Sequence, residues 1–117
     1  MRKLEFEKNE EIEKIIENSR CRIRSERALA YTAALVRENG ISIEGYKWQA
    51  LANHVVAMVN RSITKEVFRD IDPSMFRDIS SDSICLAEQV AEHIGGLDDS
   101  EKYLLSVHFE VAKVYAG

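Results

Sequence analysis

Proline occurs once and glycine five times in 117 residues, so the chain has few of the breakers that cut a protein into short strands and tight turns. That scarcity argues against a hairpin-rich β architecture and favours a few long helices. The two cysteines, Cys21 and Cys85, stand alone without CxxC spacing, which speaks against a disulfide framework or a cysteine zinc site. No apolar run approaches the roughly 18 to 20 residues of a membrane span. The opening MRKLEFEKNEE is too acidic for a secretory signal. A soluble cytoplasmic domain is expected, with no membrane partner. A basic excess is missing as well, since 20 acidic residues outnumber 16 basic ones. Nucleic-acid binders draw most of their affinity from neutralising phosphates, so direct nucleic-acid binding is not expected. The local cluster Arg20, Arg22, Arg24 and Arg27 is flanked by Glu17 and Glu26 and reads as a solvated helical face.

What is present is helical periodicity. Trp48, Leu51, Val55 and Met58 recur at spacings of three and four, one face of a helix running from about Tyr46 to Arg61 or a little beyond. Before it, Asn9 is a candidate N-cap for a helix through Ile12, Ile15 and Ile16, with Glu10, Glu11 and Glu13 in its first turn. The pattern fades over 20–24 and resumes from Ser25 to a stop at Asn39-Gly40. One bent helix and two helices both fit. Asp72-Pro73 opens a short helix with proline at its first position, carrying Met75, Phe76 and Ile79. Ser80 to Ser83 offer caps for a helix ending at Gly95-Gly96. Asp98, Asp99 or Ser100 caps a last helix whose stripe includes Leu104, Leu105, His108, Val111, Ala112 and Tyr115. The expected architecture is an all-α, single-domain helical bundle of five or six helices. Residues 1–24 are read as an N-terminal extension or helix and 25–117 as the helical domain.

His54 borders the apolar stripe of its helix beside Ala50 and Ala57, where another protein can reach it. Arg61 follows seven residues later, on nearly the same side. His108 lies on the stripe of the last helix, and Glu101 precedes it by seven, again on the same side. A carboxylate there can fix a tautomer or raise the imidazole pKa. A histidine with a cation two turns away can accept a phosphoryl group, bind an anion, or serve only packing. His93, at the end of its helix, reads as structural or surface. No HxxxH pair, GxSxG or glycine-rich phosphate loop is present, so a metal centre, a cofactor or hydrolytic catalysis is not expected.

Leu51-Ala52-Asn53-His54 with Arg61, then Asp72-Pro73, then Glu101 through His108 resembles the signature order of the PRD, the phosphotransferase-system regulation domain. The resemblance spans about residues 25 to 117. It implies a stand-alone, single-copy, homodimeric helical bundle that is regulatory and not an enzyme. It further implies that His54 and His108 accept phosphate from the phosphocarrier HPr or an enzyme II component. Arg61 would contact the phosphate, and Asn53 and Glu101 would support the histidines. Asn53 stands where many members carry aspartate, and Lys102 interrupts a usually apolar run. A helical dimerisation or adaptor module without phosphotransfer is the alternative expectation.

Overall fold

The computed structural model describes residues 6–67 and 71–114. Met1 to Glu5 of the expected extension, Phe68 and Tyr115 lie outside the described residues. Five α-helices follow in order: α1 Glu10–Glu17, α2 Arg22–Glu38, α3 Tyr46–Thr64, α4 Ser81–Ile94 and α5 Glu101–Val114. A single 3-10 turn, Pro73–Phe76, lies between α3 and α4. Among the described residues there is no strand, and the architecture is the expected all-α bundle. No described helix is long and apolar enough to cross a membrane.

The helix boundaries follow local chemistry. Asn9 Oδ1 accepts the Ile12 amide at 3.0 Å, satisfying one of the orphan donors that begin any helix. Ser80 does the same for Ser83 at the start of α4. Asp72 accepts the Ser74 amide ahead of Pro73, although the turn that follows stops at Phe76 and never becomes an α-helix. At the other end of α4, Gly95 takes a φ of +76°, a left-handed conformation open to glycine at little steric cost. The segment before α1 is tied to α3 by the Trp48 indole, whose Nε1 donates to the Glu7 carbonyl at 2.7 Å.

The faded pattern over 20–24 resolves into two helices. α1 ends at Glu17, and α2 starts at Arg22, earlier than the apolar pattern resumes. The boundary expected between residues 24 and 25 therefore falls inside α2. α1 also packs against both α2 and α3, and its Ile12 and Ile16 are fully buried in the common core. The N-terminal helix and the rest of the bundle thus share one apolar interior.

α3 sits at the centre and packs against each of the other four helices. Its Leu51, Val55, Met58 and Val59 face Leu29 from α2, Val90 from α4 and Leu105 and Phe109 from α5 in a continuous cluster. Burying a side chain of this size contributes about 1.5 to 3 kcal/mol relative to exposure. Two buried hydroxyls turn back onto their own helices: Thr32 donates to the Ala28 carbonyl and Ser62 to that of Val59. A central helix in contact with all others fixes what α3 presents to α5, and both expected site histidines lie on those two elements. Because α1 belongs to this core, Ile16→Ala is expected to lower unfolding free energy by about 2 to 5 kcal/mol within a single transition. Urea unfolding followed by circular dichroism checks it, and a near-neutral effect would place α1 outside the cooperative unit.

Candidate functional site

α3 and α5 run antiparallel across the site, as two contacts two turns apart require. His54 on α3 meets His108 on α5, with ring centroids 5.1 Å apart and the rings tilted by 56°. Seven residues beyond His54, Arg61 meets Glu101, which lies seven before His108. Arg61 donates from Nε to Glu101 Oε2 at 2.7 Å and from Nη2 to Oε1 at 2.8 Å. A helical rise of about 1.5 Å per residue separates the two contacts by roughly 10 Å along the seam. The identical spacings on the two helices of the seam are what bring both pairs together at once.

The ion pair is well shielded. Glu101 is 1% exposed and Arg61 16%. The fork of the guanidinium matches both carboxylate oxygens, which is the geometry in which such a pair offsets its desolvation most effectively. Two N–H groups of Arg61 are thereby committed to Glu101, and the Glu101 oxygens face Arg61 in place of an imidazole. Among the described residues, neither histidine of the pair makes a hydrogen bond to Glu101. Asn53 is exposed on α3.

The two imidazoles differ in surroundings. His54 Nε2 is buried and has no hydrogen-bond partner, so its helix edge is less open than the neighbouring alanines suggest. Burial, then the adjacent His108, then the Arg61 charge push the His54 pKa down from 6.5 to about 4. Burial also lowers the His108 pKa. Both rings are therefore unprotonated at neutral pH, the form in which a ring nitrogen keeps a nucleophilic lone pair. His108 in addition lines an open, mostly apolar groove of about 250 Å³ together with Tyr46, Lys47, Ala50, Val107 and Val111.

The remaining features are structural. His93 is exposed and stacks on Tyr31 at 4.1 Å, a contact that spacing alone does not reveal. Lys102, the charge inside an otherwise apolar stretch, pairs with Glu88 at 3.1 Å and Asp99 at 3.3 Å on the surface. Among the described residues, no three histidine, cysteine, aspartate or glutamate side chains converge as a metal site would need. From sequence, Tyr46 was read only as a helix start and Val111 only as a stripe position, and neither they nor Val107 were read as site residues. Their signal is apolar side chains left 79%, 38% and 43% exposed, which only the folded helices disclose.

A bundle that brings two uncharged imidazoles together over a buried arginine–glutamate clamp defines a class of helical domain built around a histidine pair. No family model matches the chain, and no curated protein matches it. Among solved structures, it is similar to a PRD-containing transcription regulator from Lactobacillus casei, with 35% identity and a TM-score of 0.89. The match covers 94% of this chain and 98% of that one. The chain belongs to the PRD family.

Two outcomes test the site's energetics. Arg61→Ala leaves the Glu101 carboxylate buried without its counter-charge and is expected to cost about 3 to 5 kcal/mol. Denaturant midpoints measure this, and a loss below about 1 kcal/mol, the range of an exposed pair, would mean the clamp is solvated in solution. The histidine pair adds a pH dependence of its own. A ring that binds its proton less well folded than unfolded contributes stability present above 6.5, which is lost as pH falls toward about 4. For His54 the loss is on the order of 3 kcal/mol by the bottom of that window. Urea titrations between these limits should show it, and His54→Gln should flatten the slope. An unchanged slope in that variant would contradict the assignment.

Proposed function

We propose that this chain is a regulatory phosphoacceptor domain and not an enzyme. A histidine of the His54–His108 pair takes a phosphoryl group from the phosphocarrier HPr or an enzyme II component of the phosphotransferase system. The added charge then alters helix packing or assembly in a homodimer, with transcription regulation as the outcome. The observation that carries the reading is the pair itself: two neutral imidazoles held in tilted contact between α3 and α5. Similarity to a PRD-containing transcription regulator supports the regulatory part of the reading.

Phosphoryl transfer to histidine is mostly positioning and charge stabilisation, with the donor protein supplying the activated phosphate. The acceptor needs only an uncharged nitrogen in line with phosphorus. Arg61 would offset the incoming charge from two turns away. Its commitment to Glu101 means that a direct phosphate contact involves a rearranged or shared guanidinium. A phosphoryl group brings about −1.5 to −2 charges near neutral pH. Placed on a half-buried ring at the α3–α5 seam, it is incompatible with the present close approach of the two rings, which is how the domain would switch. Cytoplasmic location goes with this reading, since the donor proteins are the partners it requires.

The test is incubation with purified HPr and enzyme II components that have been charged with phosphate. The expected result is one acid-labile, alkali-stable label per chain, absent from a His54→Gln/His108→Gln double variant. Absence of label from every such donor, in protein whose fold is intact by circular dichroism, would favour the adaptor module. The buried Nε2 of His54 and the arginine spent on Glu101 are the features that would then be purely architectural.

A further inference from the structure

We propose that Phe6 to Lys8 form a releasable strap holding the first turn of α3, so that lifting it loosens the Tyr46–Lys47 rim of the α3–α5 groove. α3 begins without a cap of its own. Gly45, at its N-cap position with a φ of +60°, has no side chain to accept an amide, and the first turn holds no acidic residue. The backbone N–H groups at a helix start need acceptors, and the partial positive charge there favours a carboxylate. In a capping box, a glutamate at the third helical position accepts the N-cap amide. Here that position is Trp48, and Glu7 takes over the role from 38 residues away: its Oε1 accepts the Gly45 amide at 3.1 Å.

Trp48 completes the clip. Its indole donates to the Glu7 carbonyl, and the Phe6 ring lies against it at a centroid distance of 6.2 Å. The indole is 2% exposed, so the Glu7 carbonyl is what satisfies its N–H. The strap is nonetheless built to lift. Glu7 and Lys8 are exposed, and Phe6 and Glu7 line an open cavity of about 550 Å³ together with Val36, Arg37 and Ile41. A segment with little buried surface and open space at its side opens locally before the core does. Lys8 keeps to its own end, pairing with Glu13 of α1 at 2.8 Å and lying over the Phe6 ring. α1 stays docked through Ile12 and Ile16, both fully buried, so the strap can leave α3 without unfolding the helix behind it. Directly after Gly45 come Tyr46 and Lys47, which line the groove shared with His108. A frayed first turn therefore moves the groove rim, and an event on the N-terminal segment reaches the groove through the strap.

Hydrogen exchange by nuclear magnetic resonance tests this on the full chain. Trp48 is the only tryptophan, so its indole N–H gives one signal. The Gln49 amide, which donates to the Gly45 carbonyl at 3.0 Å, reports the first turn of α3. In the unaltered chain both are expected to exchange well ahead of the Ile16 and Val56 amides, at rates that low urea leaves flat. A Phe6→Ala/Glu7→Ala double variant should speed both by roughly five-fold or more. In that variant the His108 ring signal should shift, while that of His93 on α4 stays in place. Glu7→Gln, which keeps an acceptor oxygen without the charge, should give a smaller rise at Gln49. Indole and Gln49 rates as slow as those of Ile16 and Val56 would overturn the inference, because the strap would then open only with the whole fold. So would a faster indole in the double variant with Gln49 and His108 unchanged, since lifting the strap would reach nothing beyond Trp48. No response at either position would mean that the strap holds nothing.

Discussion

The Arg61–Glu101 ion pair is the constraint on which the site depends. A carboxylate 1% exposed in a helical core is tolerated only when both oxygens are satisfied, and the bidentate guanidinium satisfies them. This fixes the rotation of α3 about its axis and the position of α5 along it. With that register set, the residues seven positions away, His54 and His108, have little freedom except to meet. Apolar packing around Leu51, Val55, Leu105 and Phe109 supplies the stability, but apolar contacts alone tolerate small slides between helices. A buried, directional pair does not.

The uncharged state of the histidines follows from the same packing. Each ring is partly withdrawn from water, each sits beside another imidazole, and His54 also feels the Arg61 cation. All of these disfavour a second proton on His54. The domain thus keeps two uncharged imidazoles in contact at the α3–α5 seam. His108 also lines the groove between the two helices, while the Nε2 of His54 is buried.

Much of this was legible from the sequence. The stripe Trp48, Leu51, Val55, Met58 gave the central helix to within a turn of its end, and Asn9, Ser80 and Gly95 marked three helix termini by their own chemistry. The faces of the site residues were also legible, since period 3.6 puts Arg61 with His54 and Glu101 with His108. What periodicity within one helix cannot supply is the partner across a gap of 40 residues. Arg61 and Glu101 were each read against the histidine on their own helix, whereas their strongest contact is with each other. The signal was present in the mirrored spacing: His then Arg at +7 on one helix, Glu then His at +7 on another. Only an antiparallel placement of the two makes that symmetry meaningful. The stacking of His93 on Tyr31 depends likewise on a tertiary neighbour.

The central claim is that packing at the α3–α5 seam holds the His54–His108 pair uncharged and ready. Titration of the three imidazoles by nuclear magnetic resonance tests it most directly. His54 is expected to remain neutral down to about pH 4, with His108 also titrating below its ordinary value of 6.5. A His54 ring that takes up its proton at 6.5 or above would show that the seam is open to water in solution, and the account of the site would fail.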